Sequence, residues 1–406
     1  MTQLNYSKLS IDLTRTLTKV EKKDNGIFFT PPTTVKKTLE ILENYIESKD
    51  IQEVLEPSCG SCEYLLAVRD KYKGANITGI EYNNTIFNSI SKLANDKIAL
   101  YNIDFLNYQS NTKYNLIIGN PPYFVMKKGD VDKKYYNYFD GRPNIFILFI
   151  IKCLELLAPG GILSFILPKS YLNCLYYNKT RKYIYTNYKI LDIIECRDDY
   201  LETAQETVLF VVKHTKEQLD KNREYCLDVG EATLFNTLDN IAVLRNLYTN
   251  SKTLKQLGFS VNVGNVVWNQ CKPILTNDAS KTLLIYSSNI KNNKVEIQTY
   301  ANLEKKNYID KQGELGPLLV INRGYGVGQY SFDYCIVDLD REYLVENHLI
   351  CIRYNSVVPK EQLLELYNKV IASFKNKKTT DFIKLYFGNN AINTTEICEI
   401  LPIYDI

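Results

Sequence analysis

The sequence predicts an α/β fold, with a mostly parallel sheet in the first half of the chain and a second domain of mixed α and β structure after it. Three observations predict this. From about residue 50 to 215, short apolar runs rich in β-formers alternate with helical patterns, as βαβ units do. Beyond about residue 215 that alternation gives way to short irregular strands, Asn-rich turns and isolated helices. The length of 406 residues leaves room for two or three domains at roughly 100–200 residues each. The expected division is residues 1–225 and 226–406.

The expected strands are Val54-Leu55, Ile77–Glu81, Ile98–Tyr101, Asn115–Gly119, Ile162–Leu167, Ile190–Glu195 and Thr207–Lys213. Before them, Thr33 reads as the N-cap of a helix whose apolar residues Val35, Leu39, Leu42 and Ile46 fall on one face. A second helix, Asn144 to Leu157, carries Ile145, Leu148, Ile151 and Leu156, and Ala158-Pro159-Gly160-Gly161 stops it.

Composition excludes several classes. Hydrophobic residues at 45% and charged residues at 23% rule out a disordered chain. A net charge of +3 supplies no general positive field, so contact with nucleic acid must rest on local patches. With two histidines, His214 and His348, neither a His-rich metal site nor a Ser-His-Asp apparatus is expected, and no metal is assigned. The ten cysteines lack regular spacing and read as reduced thiols of an intracellular protein. Met1 to Val20 does not read as a leader, and no stretch reaches the ~18 apolar residues of a membrane span.

The chemistry gathers at the ends of the strands, where open α/β sheets bind ligands. The first ends in Glu56-Pro57-Ser58-Cys59-Gly60-Ser61, whose small residues admit close approach by a ligand. The second ends at Glu81, 21 positions after Gly60, where a carboxylate can grip a ribose diol. The third is followed by Asp104-Phe105, a carboxylate for an exocyclic amine and a ring for an adenine face. Taken singly, Glu81 and Asp104 also read as solvated loop charges. The fourth ends in Asn120-Pro121-Pro122-Tyr123, which alone would be a rigid turn with an aromatic plug.

As a series, these segments over residues 26 to 213 resemble the gamma-class (TaqI-like) DNA adenine-N6 methyltransferases. The resemblance implies a Rossmann-like seven-stranded class I methyltransferase sheet, a C-terminal α+β target-recognition domain, and S-adenosyl-L-methionine as cofactor. It implies that Thr30, in Phe29-Thr30-Pro31-Pro32, contacts the cofactor carboxylate. Glu56, in the motif with Pro57, Cys59 and Gly60, holds its amine, Glu81 its ribose, and Asp104 and Phe105 its adenine. Where such proteins usually carry a second Gly, this chain has Cys62, which is expected to crowd the amino-acid end of the cofactor.

Asn120, Pro121, Pro122 and Tyr123 are the expected catalytic residues. The N6 lone pair of adenine is delocalised into the ring, and acceptors on both N6 hydrogens redirect it toward a sulfonium methyl. The Asn120 side-chain oxygen and the Pro121 carbonyl are the expected acceptors. A base in a duplex must be flipped out to reach them, and Tyr123 and Tyr200 are expected to cover its two faces.

The partner so implied is double-stranded DNA, with Lys127 and Lys128 placed to follow the phosphates. In the second half, Trp268, Asn269 and Gln270 can read a base and Arg323 can reach phosphate or guanine, although Trp268 also reads as a core residue. Residues 226–406 carry 19 basic and 19 acidic side chains, so charge does not mark this half as a DNA surface. A monomer is expected, with any cognate restriction endonuclease on a separate chain. Two other acceptors, RNA and a protein glutamine amide, suit the same tetrapeptide, and an inactive DNA-binding relative is the remaining alternative.

Overall fold

A computed structural model describes residues 6–405 apart from 198–199, 201–202, 204, 323–332 and 387–391. The seven apolar runs form one sheet: β1 (Glu53–Glu56), β2 (Asn76–Ile80), β3 (Ile98–Tyr101), β4 (Tyr114–Gly119), β5 (Leu157–Pro168), β6 (Lys189–Cys196) and β7 (Thr207–Lys213). Their order is β3-β2-β1-β4-β5-β7-β6. The pairings from β3 to β5 are parallel, and β7 runs antiparallel to both β5 and β6.

Apolar residues on successive positions serve two cores, because side chains alternate across a strand. Val54, Leu116, Ile118 and Ile166 face one core with Val35, Leu39, Leu65 and Val68. Leu55, Ile117, Leu163 and Phe210 face the other. Burial on both faces is what continuous rather than alternating apolar runs signify.

Seven helices precede or connect the strands: α1 (Lys8–Thr16), α2 (Lys19–Asn25), α3 (Pro32–Leu42), α4 (Glu63–Lys71), α5 (Asn84–Ile90), α6 (Ile145–Leu156) and α7 (Asn178–Asn187). Helix α3 starts one residue before the expected cap. Pro32 takes the first helical position, where its fixed φ fits and its missing N–H costs nothing, so Thr33 lies inside the first turn. The helix also ends at Leu42, leaving Ile46 beyond it. Helix α6 has the expected span, with Asn144 at its N-cap.

The segment Ala158-Pro159-Gly160-Gly161 stops α6 yet belongs to β5. Tyr114 pairs with Leu157 and Leu116 with Ile162, so the four residues between bulge from the strand. His214 holds the bulge. Its backbone N–H donates to the Gly161 carbonyl at 2.8 Å, and its carbonyl accepts from the Gly160 N–H at 2.8 Å.

The chain divides into two compact units at 241/242, later than the expected 225/226. The hairpin β8 (Cys226–Val229) and β9 (Ala232–Phe235) explains the difference. Arg181 of α7, wholly buried, donates from Nε to the Thr233 carbonyl at 2.6 Å and from Nη1 to the Tyr171 and Cys174 carbonyls at 2.8 Å each. Asn178 Oδ1 accepts from the Thr233 N–H at 2.8 Å, so the hairpin is fastened to the first unit.

The second unit has two four-stranded sheets among its described residues. In one, Phe259–Val263, Leu349–Tyr354, Leu318–Asn322 and Tyr334–Val337 are all antiparallel. The other orders Leu275–Thr276, Tyr308–Ile309, Thr282–Ile285 and Tyr343–Val345, the last pair being parallel. Helices Lys360–Phe374, Lys377–Tyr386 and Thr394–Glu399 follow. Among the described residues no helix is long and apolar enough to cross a membrane.

Replacing Arg181 with Met strands the buried Thr233 and Tyr171 carbonyls, each worth about 1–3 kcal/mol when unpaired, and leaves the Cys174 carbonyl with the Tyr177 N–H alone. Urea unfolding of Arg181→Met is expected to show a loss of about 3 kcal/mol or more.

Candidate active site

Strand β1 is flanked by β2 on one side and β4 on the other, and the chain winds outward from that pair in both directions. Beyond the carboxyl ends such a reversal opens a crevice. It holds a cavity of about 340 Å³, within the roughly 300–1,000 Å³ of small-molecule sites. Pro57, Ser58 and Gly60 line it after β1, Glu81, Tyr82 and Asn83 after β2, Asp104, Phe105 and Leu106 after β3, and Asn120 and Pro122 after β4.

The loop after β1 turns through two left-handed residues, Gly60 at φ +50° and Cys62 at φ +65°. The Cys62 N–H closes the turn on the Cys59 carbonyl at 2.6 Å. A β-carbon at Gly60 would lie 3.5 Å from the Phe29 ring, so glycine serves backbone conformation here rather than space. Cys62 takes up a conformation that suits glycine, but its side chain is wholly buried and it does not line the cavity. It makes a side-chain hydrogen bond with Cys59, so the expected crowding is not what the structure shows.

Glu81 joins two of these loops. Its carboxylate accepts from the Gly60 N–H at 3.0 Å and from the Asn83 N–H at 2.7 Å. Only 8% of its surface is exposed, and burial raises its pKa to about 7 against those backbone donors. Glu56, 3% exposed, is pushed well above the carboxylate range, chiefly by burial. Its Oε2 is buried without a hydrogen-bond partner among the described residues, a costly state for a carboxyl oxygen that an incoming cation relieves.

Asn120 is fixed from three sides. Its Nδ2 donates to the Phe28 carbonyl at 3.2 Å, its own carbonyl accepts from the Ser58 hydroxyl at 3.2 Å, and its Oδ1 lies 2.5 Å from the Tyr123 hydroxyl. That hydroxyl is also 2.7 Å from the Ile166 carbonyl, and its single proton serves one acceptor at a time. The Tyr123 ring meets Phe146 edge-on at 6.0 Å and does not line the cavity, whereas Phe124 does. Pro121, Thr30 and Cys59 are buried behind the wall. Tyr200 is half-buried, and its phenol is near enough to act with burial in raising the Tyr123 pKa.

Residues before α3 complete the wall in a way the sequence did not announce. Gly26, at φ +62°, caps α2 and packs directly on the segment after β4, where a β-carbon would come within 2.6 Å of the Tyr123 nitrogen. This close approach brings Ile27, Phe28 and Phe29 to the cavity. Phe149 of α6 also lines it, its ring 4.8 Å from that of Phe105. Since every residue of α6 except Glu155 is buried, no periodicity singles Phe149 out.

Lys127 and Lys128 do not line this cavity. They are exposed beyond Asn120-Pro121-Pro122-Tyr123, with Lys128 Nζ 4.9 Å from the Tyr136 ring. In the second unit, Trp268 is half-buried against the cluster of Val266, Leu284 and Tyr286, while Asn269 and Gln270 are exposed. Arg323 lies outside the described residues.

Residues 7–201 match the family described as Eco57I restriction-modification methylase. Along 98% of this chain and 99% of the relative, the sequence is 28% identical to Modification methylase CviBIII of Paramecium bursaria Chlorella virus NC1A. It is 25% identical, with the same coverage, to Type II methyltransferase M.CvrRI of Paramecium bursaria Chlorella virus XZ-6E. The chain is thus similar to type II restriction-modification methyltransferases over nearly its whole length. Among solved structures, the cryoEM structure of a DrdV–DNA complex shares the fold at a TM-score of 0.56 and 12% identity, over 98% of this chain and 57% of that one.

The seven-stranded sheet with its reversed β7 is the class I methyltransferase fold, whose cofactor is S-adenosyl-L-methionine. This methyltransferase cavity suits that molecule. Glu81 in its lining suits a diol, and Asp104 with the Phe105 and Phe149 rings suits an aromatic base, while the unpartnered Glu56 oxygen, suited to an ammonium, is buried behind the lining residues.

Because the folded pKa of Glu81 is raised from the ordinary 4.5 to about 7, its stabilising contribution is complete below pH 4.5 and is lost as pH rises to about 7. That span is worth at most about 3 kcal/mol. The stability of Glu81→Gln relative to wild type, measured by thermal unfolding without cofactor, is therefore expected to increase from pH 4.5 to pH 8, and a flat difference would refute the assignment.

Proposed function

We propose that this protein is a site-specific DNA methyltransferase that transfers a methyl group from S-adenosyl-L-methionine to N6 of adenine. The observation that carries the proposal is that Asn120 and Pro122 share one cavity with Glu81 and Asp104. One of the two acceptors for a planar amine, Asn120, thus stands beside the groups suited to an adenosyl cofactor. The type II relatives, similar over nearly their whole length, support DNA as the substrate.

Bound S-adenosyl-L-methionine supplies an electrophilic methyl group on a sulfonium. The chain's own residues prepare the nucleophile. Asn120 Oδ1 and the Pro121 carbonyl each accept one N6 hydrogen, which draws the lone pair out of conjugation and aims it. Held by Phe28, Ser58 and Tyr123, the Asn120 amide loses little freedom when the base arrives. Both acceptors are neutral, so attack is direct and no covalent enzyme intermediate forms.

Reaching them requires the target base to leave the duplex, at a cost of a few kcal/mol. Tyr123 and Tyr200 supply the stacking faces, at about 1–3 kcal/mol per stacked base. Tyr123 leaves its contact with Asn120 to do so. Thr30, Glu56, Pro57, Cys59 and Gly60 hold the amino-acid end of the cofactor, Glu81 its ribose, and Asp104 and Phe105 its adenine. Lys127 and Lys128 follow the phosphates of the double-stranded DNA, and Trp268, Asn269, Gln270 and Arg323 belong to target recognition in the second unit. The protein acts as a monomer inside the cell, and any cognate restriction endonuclease is a separate chain.

The test is incubation with labelled S-adenosyl-L-methionine and long double-stranded DNA, with modified bases mapped by single-molecule sequencing. N6-methyladenine confined to one short motif is expected for wild type, with a loss of at least about a hundredfold in Asn120→Ala. Labelling of RNA or of a glutamine peptide instead would replace the acceptor. Cofactor binding with no labelling of any acceptor would mark an inactive relative.

A further inference from the structure

Helix α6 carries a charge where its sequence offers no reason for one. In Ile145–Leu156 every residue but Glu155 is buried, and Lys152 is among the buried ones at 7% exposure. An ammonium in such a place costs free energy that a packed apolar side chain would not. Its compensation lies on one turn of chain. Nζ donates to the Leu106 carbonyl at 2.7 Å and stands 5.0 Å from the centre of the Phe105 ring.

The other end of the same residue is held as well. The Leu106 N–H donates to Asp104 Oδ1 at 2.9 Å, so Leu106 is gripped between a carboxylate at its nitrogen and an ammonium at its carbonyl. The Phe105 ring is met by two side chains of α6 three residues apart, Phe149 at 4.8 Å and Lys152. Asp104, Phe105 and Leu106 line the cavity and Lys152 does not.

We propose that Lys152 is a positioning residue for the base-binding end of the cofactor cavity. It fixes the turn after β3 so that the Asp104 carboxylate and the Phe105 ring are presented together to the adenine of S-adenosyl-L-methionine. The proposal rests on the assignment of Asp104 and Phe105 to that adenine. A cation placed behind the ring and under the turn does what a leucine there cannot: it orients the turn's carbonyl and, through the shared residue, the carboxylate that reads the exocyclic amine.

The experiment compares binding of S-adenosyl-L-homocysteine and its 6-oxo counterpart S-inosyl-L-homocysteine by calorimetry, in wild type and in Lys152→Met, a variant of similar length without charge or donor. Wild type is expected to prefer the adenosyl ligand by about tenfold or more. Lys152→Met is expected to lose most of that preference, and to raise KM for S-adenosyl-L-methionine about tenfold with kcat within about twofold. Lys152→Arg, which restores a donor and a cation, is expected to recover part of the preference. A Lys152→Met variant that keeps the wild-type preference overturns the proposal and leaves the adenine assignment standing. Absence of the preference in wild type itself overturns that assignment, and the proposal with it. Should Lys152→Met fail to fold, Lys152→Gln is read on the same scale.

Discussion

The pairing of β1 with β4 is the constraint on which the rest of the site depends. It places Glu56 to Gly60 beside Asn120, although 60 positions separate Gly60 from Asn120 in the chain. With β2 and β3 ranked on the far side of β1, Glu81 and Asp104 arrive at the same edge. No local propensity produces this juxtaposition; it arises from strand order and from the apolar faces that bury the sheet on both sides. Hydrogen bonds between the loops, from Gly60 to Glu81 and from Ser58 to Asn120, then fasten what strand order has brought together.

Two carboxyl groups lie buried at this edge, and they are managed differently. Glu81 has backbone donors for both oxygens, so its ionisation is opposed by burial but supported by hydrogen bonds. Glu56 keeps one oxygen without a partner. The first is a strut between two loops, while the second leaves a polar oxygen buried without a hydrogen bond among the described residues.

Much of the fold could be read from the sequence because a sheet buried on both faces writes its strands as continuous apolar runs. All seven appeared at their places, β5 starting earlier only because a Pro-Gly segment that ends a helix can also bulge within a strand. Residues at strand ends were legible for the same reason: placing a strand also places the loop residues at its carboxyl end. The wall built by Gly26 to Phe29 was not, since a helix C-cap resting on the backbone of Tyr123 leaves no periodic trace. Phe149 and Lys152 were hidden within a helix that is apolar all round. The domain boundary was missed because the contact that moves it, Arg181 with the Thr233 carbonyl, spans 52 residues.

The position of the Tyr123 hydroxyl has one more consequence. Because the Ile166 carbonyl and the Asn120 amide oxygen stand on either side of it, a rotation about a single C–O bond transfers its proton from one to the other without displacing a heavy atom. The asparagine oxygen can thus lose that hydrogen bond before any side chain moves. The hydroxyl that satisfies the half-buried Asn120 oxygen has a second acceptor ready, the Ile166 carbonyl, once that contact is given up.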